Sequence, residues 1–193
     1  SKERMRWEVC KESLNSTDIL AGICSMHEQP EAAAGLYEGF IEKCESGYYP
    51  TTSNVCGLAK LNLARIQIQM DTLPEDAIGM AESAVAGVAA WNRFGRKELI
   101  HATLTLARIQ HSFGNTEEAW MIVNRLFDET SKDINPQHQL RILTTAIDLA
   151  LAEGGLHPEL EKWLVLALTN ERRLANKFNE LPLYEKYAQY LMI

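Results

Sequence analysis

Two arginines and two histidines have the spacing best suited to recognition chemistry: Arg65, His101, Arg108 and His111. Arg65 sits in the string Leu63-Ala64-Arg65-Ile66-Gln67, which returns unchanged 43 residues later as Leu106-Ala107-Arg108-Ile109-Gln110. If both strings are helical and Ala64 and Ala107 are the packed small positions, the two arginines hold matching places and line one groove. The same stripe carries His101, Thr105 and His111 in the second unit. Arginine forks suit a carboxylate or phosphate on a ligand. The plainer alternative is that the arginines are solvated or paired with nearby glutamates. His101 and His111 lie ten residues apart, about 15 Å along a helix, which is too far for one metal ion. Two ordinary surface histidines are the simpler reading.

Catalytic chemistry has weaker support. There is no phosphate-binding Gly-x-x-x-x-Gly-Lys-Ser/Thr loop, and Gly95-Arg96-Lys97 is too short to cradle phosphates. His27-Glu28 lacks a second histidine four residues on, so a zinc-protease helix is not indicated. The pairs Glu75-Asp76 and Glu117-Glu118 fall where helices begin, and there they complement the helix dipole. No catalytic group, metal or cofactor is expected. Cys10, Cys24, Cys44 and Cys56 are widely spaced, with no Cys-x-x-Cys pair, and read as small buried hydrophobes in a reducing, cytoplasmic setting.

Bulk properties fit an ordinary folded domain and name no function. Hydrophobic residues make up 46% and charged residues 23% of the 193, as in an ordinary folded domain. The net charge of −7 argues against direct nucleic-acid contact, which needs a basic face. No apolar run approaches the roughly 20 residues that span a membrane.

The recurrence also fixes the helices that carry these side chains. Stepping back 43 residues from Leu63-Ala64 lands on Leu20-Ala21, with Ile23 matching Ile66 and Ile109, and stepping forward from Leu106-Ala107 lands on Leu149-Ala150. After each pair comes a break and a new helix start, at Gln29-Pro30-Glu31, Leu73-Pro74-Glu75, Asn115-Thr116-Glu117 and His157-Pro158-Glu159. Proline suits a first helical position, because its missing N–H would be unpaired there. Gly114 and Gly154-Gly155 supply left-handed conformations that end helices. The pattern predicts helices near 3–14, 17–27, 31–46, 53–69, 75–94, 97–113, 117–130, 137–152, 159–177 and 181–193. Trp91, Phe94, Trp120 and Trp163 are expected in the packing between helices. The small-residue run 84–90 is expected to allow close approach of a neighbouring helix.

Over 106–126 the spacing Leu106-Ala107, Gly114, Ala119, Val123 and Leu126 resembles that of the tetratricopeptide repeat family. The period is 43 in place of about 34, and the family's first-helix Trp and Tyr are missing. Longer repeats of this kind resemble the helical-repeat domain of MalT-type, LuxR-family transcription regulators. That resemblance implies a domain that receives an inducer or a partner protein, flanked by an ATP-binding module and a DNA-binding helix-turn-helix.

The expected fold is therefore all-α: a tetratricopeptide-like superhelix, or α-solenoid, of antiparallel helix hairpins with about 43 residues per repeat. Residues 1–193 are expected to form one helical-repeat domain cut from a longer chain. The expected function is non-catalytic: sensing an effector or partner for a MalT-type regulator. The alternative is a tetratricopeptide-type interaction scaffold or adaptor. The partner would be a protein, a peptide or a small anionic effector, with no membrane involvement. Arg65, His101, Arg108 and His111 would contact it.

Overall fold

The computed structural model describes residues 2–49, 53–90, 95–130, 135–155, 157–174 and 180–192. Nine α-helices lie among the described residues, and they form two compact units, Ser1–Ser112 and Phe113–Ile193. The first unit holds α1 (Lys2–Met26), α2 (Pro30–Glu45), α3 (Ser53–Met70), α4 (Ala77–Ala90) and α5 (Arg96–Ser112). The second holds α6 (Thr116–Thr130), α7 (Pro136–Ala152), α8 (Leu160–Arg173) and α9 (Glu180–Leu191). Within each unit consecutive helices pack as antiparallel hairpins. In the first unit α1 also touches α3, and α3 touches α5; in the second, α7 touches α9.

The small positions of the repeat lie in the core. Ala64 is 4% exposed, while Ala107 and Ala150 are fully buried. Around them Leu61, Ile66, Leu104, Ile109, Ile147 and Leu149 are also buried. The small-residue helix α4 approaches α3 closely: a Cβ on Gly57 would lie 3.2 Å from that of Ala84, and one on Gly87 only 2.6 Å from Asn54 Oδ1. Any larger side chain at Gly87 would have to displace Asn54.

Helix ends follow turn chemistry, with some departures from expectation. Pro30 and Pro136 occupy first helical positions, and the Asn135 side chain accepts a hydrogen bond from the Gln137 N–H. Pro74 and Pro158 instead stand in turns that precede α4 and α8, so those helices begin at Ala77 and Leu160, later than the sequence suggests. Gly114 and Gly154 adopt φ of 80° and 89°, as helix-ending glycines do. Glu28 and Asp71 take φ of 55° and 54° without that freedom, at a cost of about 1–2 kcal/mol each.

Three expectations are corrected. The segments 3–14 and 17–27 are one continuous helix, α1. No glycine or proline interrupts positions 14–17, and the Ser16 and Thr17 hydroxyls donate to the carbonyls of Glu12 and Ser13, one turn back. Cys44 and Cys56 are not reduced hydrophobes but a disulfide, with Cα atoms 6.1 Å apart, linking the end of α2 to the start of α3. Leu20 and Ile23 match the repeat by position but are 50% and 42% exposed, so the core register does not hold in α1 beyond Ala21. Trp91 and Phe94 lie outside the described residues, as do positions 175–177 of the expected segment 159–177.

Candidate functional site

The expected site residues do not form one uniform row. Two of them, Arg65 and His101, join a partly buried polar network in the first unit. Its centre is Asp18 on α1, whose Oδ1 accepts hydrogen bonds from the Tyr37 hydroxyl of α2 (2.7 Å) and from Asn62 Nδ2 of α3 (2.9 Å). Because the Asn62 amide nitrogen is committed to Asp18, its Oδ1 is left as an acceptor. His101 Nε2 on α5 lies 2.8 Å from that oxygen, so this nitrogen carries the proton and donates. Thr105, one turn on, is fully buried and donates to the His101 carbonyl. The chain Tyr37–Asp18–Asn62–His101 thus ties α1, α2, α3 and α5 together through side chains alone.

Arg65 stands one turn beyond Asn62 on α3, half-buried, with its guanidinium acting on both Asp18 and Tyr37. Burial pushes the Asp18 carboxyl above its ordinary value of 3.8, outweighing the Tyr37 and Asn62 hydrogen bonds and the Arg65 charge that favour the carboxylate. The Tyr37 hydroxyl is held above the usual tyrosine range, first by burial and then by its bond to Asp18 and that group's charge. A network of this kind is satisfied from within, and it fixes the rotamers of the polar groups at its edge.

Arg108 and His111 lie on α5 about 10 Å and 15 Å along the axis from His101. Both are half-buried rather than freely solvated. Arg108 keeps the place that Arg65 holds one repeat earlier. The residues that sequence reasoning missed are Asp18, Tyr37 and Asn62. A signal for one of them exists: Asn62 directly precedes the Leu-Ala pair, where the next repeat has Thr105 and the one after it Asp148.

The second unit offers different chemistry. Trp120, His157 and Trp163 stack on one another, with ring centroids 4.4 to 5.7 Å apart, and Phe127 stacks on Trp163 at 5.9 Å. Trp120 Nε1 donates to Glu153, and His157 Nδ1 accepts from the Glu159 N–H. Between α7 and α9 a groove of about 540 Å³ is lined by Asp148, Leu151, Ala152, Lys186, Gln189 and Met192. Its two charged members, Asp148 and Lys186, are bonded to each other. No three His, Cys, Asp or Glu side chains come together as metal ligands among the described residues, and no described helix is long and apolar enough to cross a membrane. Compared with known protein families, with curated proteins and with solved structures, the chain finds no match in any of the three.

Proposed function

We propose that this chain is a non-catalytic helical-repeat binding module whose first unit receives an extended protein or peptide segment across α1, α3 and α5. The supporting observation is the Asp18–Asn62–His101 ladder, which crosses three alternate helices at separations close to the repeat period. A ladder of that geometry holds Arg65 and His101 in fixed orientations before a partner arrives, which lowers the ordering cost of binding. Arg65 has five N–H donors, and facing Asp18 and Tyr37 does not exhaust them. Arg108 extends the series by one repeat, and His111 lies one turn beyond it. In the finer form of the proposal the hairpins belong to a tetratricopeptide-like superhelix, acting as the effector- or partner-sensing domain of a MalT-type transcription regulator. The exact 43-residue recurrence favours that form over a generic scaffold.

The test is a random-peptide display library panned on the purified chain. Enriched peptides are titrated by calorimetry against wild type, Arg65→Ala, His101→Ala and Arg108→Ala. Losing a charge-assisted hydrogen bond should weaken binding by about 1.5–3 kcal/mol for either arginine variant. Peptides that bind all four proteins equally would remove these residues from the site. A small anion that competes with them would favour the effector form of the proposal.

A further inference from the structure

Two helices, one in each unit, leave a second face uncovered. On α1 the core side carries Cys10, Leu14 and Ala21, all buried. The opposite side carries Val9, Ile19, Leu20, Ile23 and Met26, between 42% and 76% exposed. At 100° per residue these five fall within an arc of about 120°. Ile23 is the counterpart of Ile66 and Ile109, which are 2% and 0% exposed, so a core position of the repeat faces solvent here. Glu8 and Glu12, both exposed, stand on the same face toward the N-terminal end.

The outer face of α8 is its complement in charge. Leu160, Trp163, Leu164 and Glu171 point into the second unit and are buried. The other side shows Lys162, Val165, Leu166, Thr169, Arg172 and Arg173, all exposed and again within about 120°. Lys162 bonds Glu159, and Arg172 donates to the Tyr184 hydroxyl, contacts that leave both residues on this surface. Along α8 the basic pair follows Val165-Leu166 by seven residues, and along α1 Glu12 precedes Ile19 by seven. Laid antiparallel, both separations are about 10 Å. Val165 and Leu166 then meet Ile19, Leu20 and Ile23 while Arg172 and Arg173 meet Glu8 and Glu12. Neither face has the charge to pair with itself.

We propose that a second copy of this chain covers the α1 face of the first with its own α8 face. The contact is heterologous, each copy carrying one surface of each kind. A single helix pair buries less than the roughly 1,200 Å² of standard stable complexes, so the association is reversible and concentration-dependent.

Sedimentation velocity of the whole chain over a concentration series tests this. The weight-average mass of the wild type should rise with concentration. Glu8→Lys with Glu12→Lys, and separately Arg173→Glu, should each weaken association by about tenfold at low salt. Mixing the two variants should restore it, since the unaltered α1 face of the Arg173→Glu chain then meets the unaltered α8 face of the Glu→Lys chain. Arg173→Glu leaves the Arg172–Tyr184 bond intact, and circular dichroism of each variant separates a lost contact from a lost fold. A wild type that stays monomeric throughout, association that neither variant weakens, or a mixture that fails to recover would overturn the proposal. So would a monomer whose α1 face binds only an added basic amphipathic peptide.

Discussion

The two units tie alternate helices together at the same repeat position with different chemistry. The residue before the Leu-Ala pair is Asn62 on α3, Thr105 on α5 and Asp148 on α7, while α1 has Ile19 there. In the first unit Asn62 is 6% exposed and bonds both Asp18 of α1 and His101 of α5. In the second unit Asp148 is a third exposed and pairs with Lys186 of α9. The neighbouring place diverges further: Arg65 and Arg108 are followed one period later by Leu151. The apolar register therefore sets where helices meet, while the polar position before it sets how they are tied. The first unit is tied by a polar side-chain network, and the second is braced by an aromatic stack.

That contrast breaks most visibly at the stack. Trp163 is 6% exposed and lies against Trp120, His157 and Phe127, so Trp163→Ala should cost about 3–5 kcal/mol in a guanidinium melt. The His101 resonances of the folded protein should stay unchanged. A cost under about 1 kcal/mol would make the stack peripheral to the second unit's stability. The first unit has its own brace in the Cys44–Cys56 disulfide, which closes a short loop. Reducing it should remove roughly 2–3 kcal/mol by freeing the unfolded chain. Equal melting midpoints with and without reductant would contradict that bond's role.

What the sequence made legible divides along the same line. Ala64, Ala107, Leu106 and Ile109 were readable as core because helical period encodes burial directly, and all four are buried. Asp18, Tyr37 and Asn62 were not, because a polar side chain reads as solvated until a neighbouring helix is placed over it. His101 looked like a surface histidine for the same reason, since its partner lies 39 residues away on α3. The Cys44–Cys56 pairing depends on how α2 and α3 fold back on each other, which cysteine spacing does not encode. The break expected between 14 and 17 does not form, because the Ser16 and Thr17 hydroxyls bond backward into the preceding turn and the helix runs on.

Truncating Asn62 and Asp148 separately weighs the two ties against each other. Asn62→Ala leaves the His101 donor and the Asp18 carboxylate each short of a buried partner, at a cost of about 1–3 kcal/mol. Asp148→Ala removes a partly exposed ion pair and should cost under about 1 kcal/mol. Thermal melts of both variants measure the difference. If Asp148→Ala proves the more damaging, the ion pair and not the amide ladder is the stronger tie.

The smallest effect concerns the sign of the Asp18 charge. Burial holds its carboxyl above 3.8, so the native state keeps that proton more tightly than the unfolded chain does. The resulting stability is fully present below 3.8 and is lost as pH rises through the folded value. Asp18→Asn carries no charge, and its side-chain oxygen still accepts from Tyr37 and Asn62. The variant should therefore match the wild type at low pH and exceed it slightly at pH 7, by under about 1 kcal/mol. Arg65 opposes this gain, because its attraction to the carboxylate is lost, but burial is the larger effect. Melting midpoints of both proteins across pH 4 to 7 decide the balance. If Asp18→Asn instead grows less stable relative to wild type as pH rises, the Arg65 attraction outweighs burial and the ladder is held together as an ion pair.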